Sequence, residues 1–124
     1  MDLYDEHYLA IYKNPYNYGK MEDADVKGGA LKPSCGDQVE IYLKVKDGKI
    51  EKARFIGKGC VVSIVGTSLL MKEIEGKSIE EVKKWGPEKM YEITGMDLSS
   101  NPSREQCLML GYRVLQDIFK KLSH

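Results

Sequence analysis

Three cysteines, Cys35, Cys60 and Cys107, are the residues of this chain with the most distinctive chemistry. Their number is odd and they lie far apart in the sequence, which does not indicate a framework of disulfide bonds. Reduced thiols that carry a function usually bind a metal or take part in sulfur chemistry. The alternative is that they only pack in the core, because free cysteine is among the most buried residue types.

Each cysteine falls at the boundary of a predicted element, which packing alone does not require. Cys35 lies in the loop before an alternating strand, Cys60 between a glycine-rich loop and a helix, and Cys107 in the first turn of the last predicted helix. A helix N-terminus carries a partial positive charge and free N–H donors, so it favours thiolate over thiol. We expect this effect at Cys60 and Cys107.

Asp37 is the fourth candidate, because it follows Cys35 by two residues in extended chain. Side chains at i and i+2 point to the same side, and Gly36 between them lets the backbone approach a cofactor closely. Three sulfurs and one carboxylate complete a tetrahedral zinc site, or supply two ligands to each iron of a [2Fe-2S] cluster. Because a carboxylate is a weaker ligand than a thiolate for iron, this set should hold a cluster less firmly than four thiolates would.

Hydrophobic spacing and turn signals predict the elements that position these residues. The alternation over 38–45 predicts a strand with one buried face, Asp47-Gly48 predicts a type I′ turn, and 49–56 returns as the partner strand. A further edge strand is expected within 23–30. Helices are expected over 3–13, 61–75, 78–85, from Pro87 to about Gly95 and from Ser103 to about Leu122, with Ser78 and Ser103 opening capping boxes. This order favours an α+β fold.

The length and composition of the chain limit the functions that it can have. The 124 residues fit a single domain, 1–124, and the 19 basic and 19 acidic side chains cancel. A protein that follows a phosphate backbone needs a basic excess, so nucleic acid is not an expected partner. No apolar run approaches the length of a membrane span. The N-terminus lacks the basic and apolar regions of a signal peptide, so we expect a cytoplasmic protein.

The chain resembles the IscU/NifU-like family of iron–sulfur scaffold proteins along most of its length. The motifs that carry the resemblance are Asn14-Pro15-Tyr16-Asn17-Tyr18-Gly19, Cys35-Gly36-Asp37, Gly59-Cys60-Val61-Val62-Ser63, Glu75-Gly76-Lys77-Ser78 and the third cysteine, Cys107, at the start of the last helix. The resemblance implies an IscU-like fold, with a small three-stranded antiparallel sheet and helices packed on one face.

The resemblance also implies a function. A cysteine desulfurase, or free sulfide, supplies sulfur; iron arrives separately; and a [2Fe-2S] cluster is built and passed to apo-proteins. Cys35, Cys60 and Cys107 would be the sulfur ligands, Cys107 also the first persulfide acceptor, and Asp37 the oxygen ligand. Zinc commonly takes the site when no cluster is bound. A scaffold of this kind is not an enzyme, and the family allows a homodimer.

Two positions depart from the best-known branch of the family. Gln106 stands where that branch has a histidine, and Arg104 resembles the Arg-x-x-Cys of the SufU branch. The stretch before Cys107 also lacks that branch's chaperone-binding motif, so we expect an archaeal or deep bacterial type. The rival hypotheses are a zinc-dependent sulfurtransferase of SufU type and a structural zinc domain. His7 is expected at the surface, and Gly57-Lys58-Gly59 is expected to let the backbone pass close to the metal.

Overall fold

A computed structural model of the chain describes residues 5–32 and 36–122. Its three strands form one antiparallel sheet, so the expected α+β class is confirmed. In the described ranges, no helix has both the length and the apolar character needed to cross a membrane. The elements in chain order are α1 (Glu6–Lys13), β1 (Val26–Lys32), β2 (Asp37–Lys46), β3 (Lys49–Lys58), α2 (Val61–Ile74), α3 (Ile79–Lys83), α4 (Glu88–Thr94) and α5 (Pro102–Leu122).

β2 is the central strand, with β1 and β3 as its antiparallel neighbours. Its inward side chains, Val39, Ile41 and Leu43, are at most 2% exposed and belong to the main core. The turn to β3 has φ values of 53° and 75° at Asp47 and Gly48, as a type I′ turn requires. The hairpin and the edge strand, now β1, are therefore confirmed.

The segment that follows α1 covers the outer edge of β3. The N–H of Gly19 donates to the Phe55 carbonyl at 2.8 Å, and the Phe55 N–H donates to the Asn17 carbonyl at 3.0 Å. Asn17 has a φ of 57°, a left-handed conformation that asparagine tolerates better than most residues. The segment that contains Asn17 and Gly19 thus occupies backbone groups of β3 that would otherwise be open to pairing with another chain.

α2 is buried among the sheet, α1, α4 and α5. Its close approach to α5 depends on a glycine, because a Cβ at Gly111 would lie 2.5 Å from the Thr67 hydroxyl oxygen. α5 in turn packs on the inward face of the sheet, where the Ile118 side chain lies against Gly28 of β1. These contacts confirm the prediction of helices on one face of a three-stranded sheet.

The predicted start of the last helix was wrong. α5 begins at Pro102 rather than at a Ser103 cap, and the Asn101 side-chain oxygen accepts a hydrogen bond from the Arg104 N–H at 3.3 Å. Asparagine caps as well as serine, and proline suits the first helical position because its missing N–H would be unpaired there anyway. Cys107 therefore lies in the second turn of α5, not in the first.

Candidate metal centre

Three of the four predicted donor residues come together at one end of the fold. Asp37 is the first residue of β2, Cys60 is the N-cap of α2, and Cys107 lies in α5. Their ligand atoms all lie within 4.8 Å of one another. The sheet register explains the meeting, because Gln38 pairs with Lys58 and the chain turns from there into α2. The fourth donor, Cys35, lies outside the described residues.

The Asp37 carboxylate is the centre of this cluster. Its Oδ1 accepts the Cys60 N–H at 3.2 Å, and its Oδ2 accepts the Cys60 thiol at 3.3 Å. The Cys107 side chain also hydrogen-bonds to Asp37. Only 1% of Asp37 is exposed, so this is a buried acidic group with buried or half-buried donors around it. Its place at the N-terminus of α2 is favourable for a negative charge.

A glycine makes room for this carboxylate. Gly59 has a φ of 145°, and a Cβ at that position would lie 2.3 Å from Asp37 Oδ1 and 2.6 Å from its Cγ. Any other residue would therefore push Asp37 away from Cys60. The glycine loop was expected to let the backbone pass close to a metal; in the structure it lets the backbone pass close to the carboxylate.

The electrostatics of the cluster oppose ionisation of one thiol. Burial alone would raise the pKa of Asp37, but hydrogen bonds from Cys107, Cys60 and Ser63 hold that pKa below its usual value. Burial, the hydrogen bond to Asp37 and the proximity of Cys60 raise the pKa of Cys107 to about 12. The prediction that Cys107 is a thiolate is therefore wrong for the protein without a bound cation, because the thiol lies beyond the first turn of α5 and beside a carboxylate.

Ser63 forms part of the wall of the cluster, a position that was not predicted from the sequence. It is fully buried, and its Oγ lies 3.9 Å from Cys60 Sγ. The same hydroxyl donates to the Cys60 carbonyl at 3.1 Å. Its position three residues after a helix-capping cysteine was the available signal, because that spacing returns to the same face of the first turn.

Two tyrosines hold the glycine loop that leads to Cys60. The Tyr18 hydroxyl donates to the Gly57 carbonyl at 2.8 Å and accepts the Gly57 N–H at 3.3 Å. The Tyr12 hydroxyl donates to the Gly59 carbonyl at 3.3 Å. The contact of Tyr12 joins residues 47 apart, so it leaves no local pattern in the sequence.

The remaining sequence candidates lie at or near the surface. Gln106 is exposed and Arg104 is half-exposed on the first turns of α5. His7 is exposed on α1, where its ring contacts that of Tyr8 with 5.4 Å between centroids, so its expected surface position is confirmed. No histidine in the described residues belongs to the cluster of Asp37, Cys60 and Cys107.

Comparison with known proteins identifies the class of this fold and site. The sequence profile of the NifU-like N terminal domain matches residues 3–123. A solved structure of the N-terminal part of a NifU-like protein from Brucella abortus superposes with a TM-score of 0.81 at 16% identity, covering 98% of this chain and 94% of that one. The chain belongs to the NifU-like N-terminal domain family.

Curated relatives narrow the comparison further. The chain is 32% identical to the iron–sulfur cluster assembly scaffold protein IscU of Thermotoga maritima, over 98% of this chain and 95% of that protein. It is 39% identical to IscU 1 of Archaeoglobus fulgidus over 75% of this chain, but that match spans only 61% of the relative. It is 36% identical to the zinc-dependent sulfurtransferase SufU of Bacillus subtilis, over 63% of this chain and 52% of that protein.

Proposed function

We propose that this chain is a scaffold on which a [2Fe-2S] cluster is assembled before transfer to apo-proteins. The observation that carries the proposal is the convergence of Asp37, Cys60 and Cys107, with ligand atoms within 4.8 Å, in a chain of the NifU-like family. The fourth ligand in the proposal is Cys35, two residues before Asp37. The whole of 1–124 would then act as one scaffold domain.

The donor set suits iron that is held and later released. Three thiolates and one carboxylate give two ligands to each of two irons. Thiolates bind iron more strongly than a carboxylate does, so the cluster would be held least firmly at Asp37. The cysteine thiols lose their protons when a cation binds, and the proton on Cys107, held by burial and Asp37, would leave in that step.

Sulfur delivery is the second part of the proposal. Attack of the Cys107 thiolate on the outer sulfur of a donor persulfide forms a new S–S bond, breaks the S–S bond of the donor and releases the donor cysteine as a thiolate, so no outside oxidant is consumed. Two electrons from iron or a reductant then release sulfide. Because Cys107 is only 3% exposed, accepting a persulfide sulfur requires Cys107 to become accessible while the donor is bound. Cys60 is half-buried.

Anaerobic reconstitution tests the proposal directly. The protein with ferrous iron and sulfide should become brown, with sulfide-to-iron absorbance and two irons and two acid-labile sulfides for each bound cluster. It should then convert an apo-ferredoxin to its holo form. Cys60→Ser and Cys107→Ser are expected to lose the absorbance, and Ser99→Ala, on an exposed loop, is the control. A colourless wild-type protein after reconstitution would refute the scaffold function.

A zinc-dependent sulfurtransferase is the second candidate. It is supported by the likeness to SufU and by Arg104, three residues before Cys107. Three sulfurs and one oxygen are also a tetrahedral zinc set. A colourless protein that keeps one zinc and accelerates a cysteine desulfurase would favour this candidate. Zinc whose removal unfolds the chain would instead indicate a structural site.

The partners in the proposal follow from this chemistry. A cysteine desulfurase or free sulfide supplies sulfur, iron is the second component of the cluster, and apo iron–sulfur proteins accept the completed cluster. In this reading the chain carries its cargo without turning over a substrate, so we propose that it is not an enzyme. A homodimer that shares one cluster is tested by the ratio of iron to chain and by sedimentation of the reconstituted protein.

A further inference from the structure

The hydroxyl of Ser63 is placed against a proposed ligand sulfur in a part of the fold that water does not reach. Ser63 is 0% exposed in the first turn of α2, and its Oγ lies 3.9 Å from Cys60 Sγ. The Cys60 thiol donates to Asp37 Oδ2 at 3.3 Å. With the Cys60 thiol proton directed to Asp37, the Ser63 hydroxyl donates to the Cys60 carbonyl at 3.1 Å and shares its proton with the Asp37 side chain, which keeps its bond from the Cys60 N–H when the serine proton turns away.

That carbonyl does not depend on Ser63. The Ile64 N–H also donates to the Cys60 carbonyl, at 3.2 Å, as part of the helix. If the serine proton turns away, no backbone group is left unpaired, which removes the usual cost of breaking a buried hydrogen bond. A hydroxyl proton rotates freely about its C–O bond, so Ser63 can change its acceptor without moving a heavy atom far.

We propose that Ser63 is a positioning residue that donates a hydrogen bond to the Cys60 sulfur when that sulfur is a thiolate ligand. The inference rests on the proposed metal centre. A thiolate accepts hydrogen bonds better than a thiol does, because the acceptor is charged. The bond fixes the direction of the sulfur, and it draws electron density away from it.

Two measurable consequences follow. Partners that orient a metal ligand are typically worth roughly 10- to 100-fold in metal affinity, so Ser63→Ala should bind Zn²⁺ about ten-fold more weakly. Hydrogen bonds to ligand sulfurs also tune the electronic properties of the metal site. Without the bond the sulfur lone pairs lie higher in energy, so the sulfur-to-Co²⁺ charge-transfer band should move to longer wavelength.

The experiment is an anaerobic titration of the full chain with Co²⁺, followed by competition with Zn²⁺ and a chelator. Ser63→Ala removes the hydroxyl and Ser63→Thr keeps it. Ser68→Ala is the matched control, because Ser68 is another fully buried serine of α2 whose hydroxyl bonds to the Tyr16 backbone, at 2.6 Å from its N–H and 3.1 Å to its carbonyl. Thermal unfolding of each variant measures lost stability separately.

We expect the band shift and the loss of Zn²⁺ affinity in Ser63→Ala, recovery of both in Ser63→Thr, and a wild-type band in Ser68→Ala. A wild-type band in Ser63→Ala would overturn the role of Ser63, even if zinc affinity fell, because lost affinity alone also follows from weaker folding. A wild-type protein without any charge-transfer band would overturn the metal centre itself, and the inference with it.

Discussion

Replacing Gly59 with alanine tests whether the glycine loop sets the position of Asp37. The new Cβ would lie 2.3 Å from Asp37 Oδ1 and 3.0 Å from the Asp37 Cα. Since non-bonded heavy atoms pack with their centres about 3.5 Å apart, the carboxylate has to move by about 1 Å. That movement breaks or lengthens the hydrogen bonds that join Asp37 to Cys60, at 3.2 and 3.3 Å.

The expected loss of stability in Gly59→Ala has two parts. The Gly59 φ of 145° lies in a region that is largely restricted to glycine, and holding another residue there costs about 1–3 kcal/mol. Overpacking a filled site costs about 1–3 kcal/mol more. We therefore expect Gly59→Ala to lower the free energy of unfolding by about 2–6 kcal/mol, a large part of the ~5–15 kcal/mol typical of a domain.

Gly48→Ala separates these two parts. Gly48 also has a positive φ, 75°, but a Cβ there meets nothing within 4 Å, and it lies in the hairpin turn away from Asp37. It should lose only the conformational part, about 1–2 kcal/mol, and should bind Zn²⁺ as the wild type does. The difference between the two variants therefore measures the clash with Asp37 together with any larger conformational cost at the Gly59 φ of 145°.

Chemical denaturation gives the free energies of unfolding, and competition with a chelator gives zinc affinity. Gly59→Ala should be the less stable variant and should bind Zn²⁺ at least about ten-fold more weakly, as expected when a ligand loses its orientation. Equal stability of the two variants, with zinc affinity unchanged in both, would show that the contact with Gly59 does not position Asp37.

Three further predictions concern single side chains. Asp37→Cys should transfer a reconstituted cluster to apo-ferredoxin more slowly than the wild type does, since four thiolates hold iron more firmly than three thiolates and a carboxylate. Circular dichroism of the cluster measures the transfer rate, and a wild-type rate would contradict the role given to the carboxylate. Tyr18→Phe should lower the free energy of unfolding by about 1 kcal/mol, because the hydroxyl bonds both the N–H and the carbonyl of Gly57. An unchanged urea midpoint would mean that these bonds add nothing to stability. The hydrogen bond to Glu105 raises the pKa of Tyr91 from 10.0 to about 12, so its contribution to stability is complete below pH 10 and is lost as the pH rises toward 12. In ultraviolet titrations, the difference between the wild type and Tyr91→Phe should be one phenol that ionises near pH 12, and a difference that corresponds to a phenol ionising near pH 10.0 would exclude the bond.

Local patterns predicted the elements that carry the site. Alternation and Asp47-Gly48 suffice for the hairpin, because both signals lie within a few residues of each other. A glycine loop before an apolar helix likewise placed Cys60 at the helix start, where it is the N-cap. The start of α5 failed because Asn101 and Ser103 both make good caps, and only the proline between them favours the earlier one.

The properties that depend on packing between distant segments were not predictable in this way. The bond from Tyr12 to Gly59 joins residues 47 apart. The protonation of Cys107 is decided by burial and by Asp37, which lies 70 positions earlier in the chain. The N-terminus of α5 alone would lower the pKa of Cys107, but burial and Asp37, which belong to other segments, raise it.

In the proposed scaffold, Asp37 would have two roles, because it would bind iron and it also accepts hydrogen bonds from Cys60. Its carboxylate accepts the Cys60 N–H through one oxygen and the Cys60 thiol through the other. A cation that binds the thiolates displaces the thiol protons, but it does not displace the backbone N–H. That N–H continues to draw the carboxylate toward α2, and a carboxylate shared with a hydrogen-bond donor gives less charge to a metal. In the proposed scaffold, Asp37 would therefore keep the Cys60 N–H as a partner when a cluster leaves, so that release at the weakest ligand would not leave a buried carboxylate without a hydrogen-bond donor.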